Sequence, residues 1–374
     1  MRISGLIAVC LLVATSANAQ QRPLLAEDVF KNVQILKGIP VKEFMNTMGF
    51  FSAATNLNCI DCHSPQSESL EGYAIDTPLK QTTRKMITMV NALNKANFGG
   101  LRKVTCYTCH RANDRPEAIP SLLDQYSVPT DDPDKVEIIR GPQAAQPANK
   151  VTPEQIIDKY IQAIGGAAAV SKLTSFAAKG TYEGYETLSE KVPVEIFANA
   201  PGQLSTVIHT QNGDSVSTYN GNQGWVAAAD KLMRVLPLAG GDLEGARMDA
   251  LLSFPARIKQ DFQWRTGFPS VSIDDRPVQV IQNAARGDLG AKLYFDSQSG
   301  LLVRQVRYVD TAVGVIPTHI DYSDYRDVGG VKLPFRRVVT WTDGRSTIEL
   351  TEVQPNVRIE PAKFAEPAAP KPKD

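Results

Sequence analysis

The amino-acid sequence predicts a multidomain protein, an α-helical domain followed by an antiparallel β-rich domain. Apolar residues recur at helical spacing up to about residue 96 and at period two from Ser175 onward. Between these stretches, residues 112–150 carry prolines at 116, 120, 129, 133, 142 and 147, with Asp131, Asp132 and Asp134 among them. Such a composition favours an extended connection wrapping the helical domain and ending in a linker. The length, 374 residues, exceeds the roughly 250–300 residues at which single cores stop growing. The expected organisation is a signal segment over 1–19, a helical domain over 20–140, a linker over 141–151, a β-rich domain over 152–365 and a disordered tail over 366–374.

The first segment has the pattern of a secretory signal. Arg2 gives a positive start, Gly5 to Thr15 is mostly apolar, and Ala17-Asn18-Ala19 ends it with small residues. Cys10 lies within the apolar run and is not read as a lipid-attachment site. No later run of about 18 apolar residues predicts a membrane span. Forty basic and forty acidic residues cancel, which points to neither a nucleic-acid partner nor electrostatic membrane attachment.

A short helical candidate covers Ala26 to Leu36. Pro40 is expected to open the next helix, where its missing N–H costs nothing, and Phe44, Met48 and Phe51 stripe it. Thr77-Pro78 caps another helix running to about Ala96, with Met86, Met89, Val90 and Leu93 on one side and Asn97 to Gly100 as its stop. Thr152 and Gln155 form a capping box for a helix striped by Ile156, Ile157, Tyr160, Ile161 and Ile164. Strands are expected at Val192–Ala198, Leu204–Gln211, Gly224–Ala229, Val278–Gln282, Lys292–Phe295, Leu302–Tyr308, Thr318–Tyr325, Phe335–Thr342 and Thr347–Val353. Asp296 to Gly300 and Asp343-Gly344 supply hairpin turns, and Leu243 to Phe254 is one interrupting helix. Short connections between strands imply an antiparallel meander.

Two pentapeptides carry the chemistry: Cys59-Ile60-Asp61-Cys62-His63 and Cys106-Tyr107-Thr108-Cys109-His110. Cys-x-x-Cys-His is the attachment pattern of haem c. Thiols three residues apart on a helical turn reach the two vinyl groups on one porphyrin edge, and the adjacent imidazole turns under the iron. A single zinc site or a pair of redox dithiols is the competing reading. Neither requires a histidine directly after each second cysteine, and the chain has only four histidines. Two haem c groups are therefore expected, bound through Cys59, Cys62, Cys106 and Cys109, with His63 and His110 as iron ligands.

The sixth ligand follows partly by elimination. His209 and His319 fall in expected strands of the other domain. Methionine is the other usual partner, and two pairs, Met45/Met48 and Met86/Met89, each sit on a helix preceding a motif. Helix core is the bland reading for all four, and elimination does not choose within a pair. His/Met ligation raises the potential and leaves no open coordination position. Arg84, Lys85, Arg102, Lys103 and Arg111 flank the second motif as propionate partners, a docking patch for an acidic partner, or solvated charges.

Lys31-Asn32-Val33-Gln34, Phe44-Met45-Asn46-Thr47-Met48 and Cys59 to His63 resemble the cytochrome c subunit family of photosynthetic reaction centres. Arg84-Lys85-Met86-Ile87-Thr88-Met89-Val90-Asn91 and Cys106 to Arg111 resemble it too, so the likeness covers about residues 27–112. The resemblance implies Met48 and Met86 as the axial ligands. The photosynthetic subunit has four haem motifs where this chain has two. From Thr152 onward, a leading helix, a long meander and the late segment Tyr322 to Phe335 are similar to the curved half-barrel of periplasmic lipoprotein carriers. That similarity implies a concave face suited to a hydrophobic ligand or a docking partner. Trp225, Trp264 and Trp341 read as sheet core in preference to its lining.

The expected function is that of an exported di-haem c-type cytochrome, periplasmic or cell-surface. It would pass electrons between donor and acceptor proteins, with a C-terminal binding or docking domain. A di-haem peroxidase or oxidase, or a haem-based sensor, is the alternative; the first needs an open iron site with acid–base groups above it.

Overall fold

The computed structural model describes residues 23–63, 70–120, 151–231, 233–266, 271–283, 290–342 and 344–371. The expected signal segment, nearly all of the expected linker and Asp343 lie outside them.

A bridge between Leu25 and Pro40 closes a loop around the single-turn helix α1 (Ala26–Val29). The helix expected to reach Leu36 stops there because Phe30 is extended and Asn32 is left-handed, with φ 62°. The Asn32 amide instead donates to the Ala74 carbonyl and to Asp76. Helix α2 (Val41–Thr55) begins one residue later than expected, since Pro40 is its extended N-cap. It ends where Asn56 turns left-handed. Two short helices follow, α3 (Cys59–Cys62) and α4 (Leu70–Ala74). The 21-residue α5 (Pro78–Phe98) starts at the Thr77 cap, with Pro78 in its first turn, and stops at Gly99 with φ 61°. Helix α6 (Cys106–His110) completes the helical part.

The second part opens with α7 (Pro153–Ala163). The expected capping box is present: the Gln155 N–H donates to Thr152 Oγ1 at 3.3 Å and the Thr152 N–H to Gln155 Oε1 at 2.9 Å. After α8 (Ala167–Val170) come β1 (Ser175–Gly184), β2 (Val192–Asn199), β3 (Gln203–Thr210), β4 (Gly213–Tyr219), β5 (Gly224–Ala228) and β6 (Val235–Pro237). Helices α9 (Gly240–Ser253) and α10 (Ile258–Asp261) interrupt. Then follow β7 (Trp264–Arg265), β8 (Val271–Ile273), β9 (Arg276–Asn283), β10 (Lys292–Asp296) and β11 (Leu302–Asp310). Strands β12 (Val315–Val328), β13 (Val331–Trp341) and β14 (Gly344–Pro355) close the series. Strands β1, β4, β6, β7 and β8 were not singled out by the alternation of residue types.

All described pairings are antiparallel. The order is β6-β5-β4-β3-β2-β1-β14-β13-β12-β11-β10-β9-β7, with β8 also on β9. Two meanders thus run outward from a central seam, β1 on β14. Ile156, Ile157 and Tyr160 of α7 and Met248 and Leu251 of α9 meet Val194, Ile196, Ile281, Leu293, Phe295 and Ile320 in one core. Each such buried large apolar side chain stabilises by about 1.5–3 kcal/mol. A second cluster, including Val280, Tyr294 and Val306, packs separately from it. All five residues of β10 are buried, because alternate positions enter the two clusters. Trp225 is buried, as expected for sheet core, while Trp264 and Trp341 are half-buried. The tail expected to be disordered from Glu366 is placed through Lys371, whose carbonyl lies beside Gly213.

The two parts meet at the β11–β12 turn. Val313 and Ile316 pack with Phe50, Ala54 and Ile87. Around this apolar contact, Asn46 donates to Asp242 at 2.7 Å, and Arg102 pairs with Asp310 at 3.1 Å.

Candidate haem attachment sites

The first motif sits on a turn that caps itself. Asn58 Oδ1 accepts from the Ile60 and Asp61 N–H groups at 3.0 and 3.2 Å, and Asp61 accepts from the Asn58 N–H at 2.8 Å. This satisfies the free donors at the start of α3. Thr77 Oγ1 donates to the Cys62 carbonyl at 2.7 Å and so ties the motif to the start of α5. Lys80 Nζ donates to the carbonyls of Tyr73 and Ile75 and fixes the α4–α5 corner. Cys59 is exposed and Cys62 half-buried. The His63 ring lies 4.8 Å from that of Tyr73. Its buried Nδ1 has no hydrogen-bond partner among the described residues. Burial, then the Lys80 charge, lowers the His63 pKa and favours neutral imidazole, the form that binds metal.

The second motif is held by α5 and α2 together. Asn94, buried in α5, donates to the Val104 carbonyl at 2.7 Å and accepts from the Lys103 and Val104 N–H groups at 3.1 and 2.9 Å. This clamp fixes the strap that leads into Cys106. After the motif, Arg111 and Ala112 are left-handed, and the Ala112 N–H donates to the Ala54 carbonyl of α2 at 3.0 Å. His110 Nδ1 is 2.9 Å from the Asn113 carbonyl oxygen. That oxygen only accepts, so Nδ1 carries the proton and Nε2 keeps its lone pair for a metal. Cys106 is half-buried and Cys109 exposed. The anchors at Thr77 and Asn94 lie roughly 25 Å apart along the α5 axis at 1.5 Å per residue.

Ile87 and Asn94 are the buried positions of α5, whereas Leu79, Met86, Met89 and Leu93 are exposed. On α2, Met45 is exposed and Met48 half-buried. These exposed apolar side chains of the helical part suit a flat apolar macrocycle. Burial pushes the Cys62 and Cys106 thiols up. Among the described residues no three His, Cys, Asp or Glu side chains cluster for one metal ion, so the two cysteine pairs do not share a site. The residues fit covalently attached haem c.

Residues 7–151 match the family model described as photosynthetic reaction centre cytochrome C subunit. The N-terminal part of the chain resembles this family. A photosynthetic reaction center cytochrome c subunit from Thermochromatium tepidum is 36% identical over 97 residues, 25% of this chain and 23% of that protein. Its counterpart from Rubrivivax gelatinosus is 33% identical over 99 residues, 25% of each. The chain thus spans about a quarter of the length of these relatives. Among solved structures, the C-terminal part has half-barrel neighbours. A LolA superfamily protein from Nitrosomonas europaea is 13% identical at TM-score 0.38, covering 57% of this chain and 98% of its own. A putative outer membrane lipoprotein-sorting protein domain from Vibrio parahaemolyticus is 9% identical at TM-score 0.40, covering 56% and 94%.

Of the flanking cations, Arg84 pairs with Asp76 at 2.8 Å and Arg102 with Asp310. His209 lies in β3 against Asp214 and Glu195, and His319 lies in β12. Sequence reasoning missed Asn94. Its signal is a polar residue seven positions after Ile87, on the buried side of a helix whose other flank is apolar.

Proposed function

We propose that this chain is an exported c-type cytochrome with two covalent haems that relays electrons between a donor and an acceptor protein. The helical part, about residues 20–140, is the redox domain. The β-rich part, about residues 152–365, docks a partner or holds a hydrophobic ligand. The observation that carries this reading is the presence of two Cys-x-x-Cys-His turns in one helical part, whose long helix α5 leaves Leu79, Met86, Met89 and Leu93 exposed. The reaction-centre cytochrome likeness supports electron transfer as the activity.

Cys59, Cys62, Cys106 and Cys109 would form the thioether links, and His63, His110, Met48 and Met86 would hold the irons. When bound, each haem cycles between ferric and ferrous iron, and a thioether ligand favours the ferrous state. The chain's residues hold the ligands rigidly: the His110 ring through Asn113, the first motif through Thr77, the second through Asn94. Two motifs where the photosynthetic subunit has four fit a relay outside the cytoplasm.

Mass spectrometry of the processed protein, matured in a host with haem-ligation machinery, tests this reading. The expected mass is the polypeptide plus two haems, with a low-spin reduced spectrum. A colourless protein with the bare polypeptide mass overturns it. Met48→Ala and Met86→Ala should each abolish the thioether–iron band of one haem and lower its potential. Loss of the band in Met45→Ala or Met89→Ala instead reassigns the ligand within its pair.

A further inference from the structure

The turn between β11 and β12, residues 311–314, reaches out of the sheet and into the helical part. We propose that this turn is a positioning element for both methionine-bearing helices, so that the β-rich part tunes the iron environment of the haem part. The proposal rests on the two-haem reading above.

The turn is rigid in itself. The Thr311 N–H and Oγ1–H both donate to the Gly314 carbonyl at 2.8 Å. The Val313 and Gly314 N–H groups donate back to Thr311 Oγ1 at 3.3 and 3.1 Å. Thr311 is fully buried. Such a turn transmits a displacement of the sheet where a loose loop would absorb it.

Its contacts fall beside the candidate ligands. The Ala312 N–H donates to Thr47 Oγ1, and Thr47 is fully buried directly before Met48. Val313 packs with Ile87, which directly follows Met86. A β-carbon on Gly314 would fall 2.2 Å from the Phe50 ring, so glycine alone allows this approach to α2. Val313 also lines a narrow cleft with Ile87, Val90, Asn94, Val104 and Cys106, the first cysteine of the second motif. The Lys42–Asp242 and Arg102–Asp310 pairs, at 3.3 and 3.1 Å, brace the contact on both sides. Successive residues of a helix are fixed in angle to one another. Holding Thr47 and Ile87 therefore holds the directions in which Met48 and Met86 leave their helices. A thioether held at bonding distance favours ferrous iron; a helix free to rotate weakens that preference.

The test compares holoproteins carrying Val313→Asp, Gly314→Ala and the conservative Val313→Ile. Haem content is read by mass, the thioether–iron band by absorption and both midpoint potentials by spectroelectrochemical titration. Two haems should remain in every variant. Val313→Asp should weaken the thioether band and shift at least one haem toward the ferric state by about tenfold, about 59 mV for one electron. Gly314→Ala should act in the same direction, and Val313→Ile should match the parent. If Val313→Asp does not accumulate, Gly314→Ala decides. Unmoved bands and potentials, with two haems attached, overturn the proposal alone. A parent protein carrying fewer than two haems overturns the two-haem reading, and the proposal with it.

Discussion

The helical and β-rich parts of this chain solve the burial problem in opposite ways. The β-rich part buries its own apolar residues, with Ile196, Leu293 and Phe295 almost inaccessible to solvent. The helical part leaves Met45, Ile60, Leu79, Met86, Met89, Leu93 and Tyr107 exposed; outside it, the exposed large apolar residue among those described is Leu188. One part is finished by its own sequence. The other has helices, caps and clamps but leaves much of its apolar surface exposed.

The largest expected effect breaks the comparison at that point. Protein made without haem ligation should lose most of the α2 and α5 helical signal in circular dichroism. Helices in proteins draw most of their stability from the packing of an apolar face. The sheet signal should persist. Equal loss of both signals, or none, means the helical part does not depend on the cofactor.

A second test strikes the self-sufficient part. Leu293→Ala, at a fully buried position of β10, should cost about 2–5 kcal/mol in sheet unfolding, followed by far-UV circular dichroism. The haem absorption bands should stay in place. Asn94→Ala acts on the other side. Loss of its three part-buried hydrogen bonds to the strap before Cys106 should cost about 1–3 kcal/mol. The effect should register in thermal melting of the second haem's environment, with the sheet transition unmoved.

The smallest effect is a dependence on acid. The hydrogen bond from Arg84, against slight desolvation and aided by Asn32, holds the Asp76 carboxyl below its ordinary range. Its folded pKa is depressed, so the stabilisation is present above about pH 4 and is lost as pH falls below that value. Asp76→Asn should flatten the decline of the helical melting temperature between about pH 4 and pH 3, with little change at neutral pH. An unchanged acid decline assigns it to other carboxylates.

Much of this division is legible in the residues. Cys-x-x-Cys-His is a local signal, as are the Thr77 and Thr152 caps, and alternation marks β2, β3, β9 and β11 to β14 to within a few residues. What stays hidden depends on partners distant in sequence. Strand β4, with Ser215, Ser217 and Thr218 in it, lacks the apolar alternation that marks its neighbours, yet it pairs on both sides. Lys292 and Asp296 flank an apolar triplet and read as strand ends, but the two clusters around β10 bury both. Asn94 reads as an ordinary helix residue until Val104 is seen beside it. The Thr311–Gly314 turn reads as any surface turn, because Phe50 and Ile87 lie more than two hundred residues earlier.

The seam between β1 and β14 bears on how the molecule comes into being. Phe176 finds its partner at Pro355 and Gly184 at Ser346, so the first strand made waits for the last. Until β14 arrives, β1 offers a bare edge that invites pairing with a stranger. A chain cut before Gly344 never closes that edge and strips β13 of a neighbour as well. Premature termination near the carboxyl end should therefore yield aggregates in place of a shorter, working molecule.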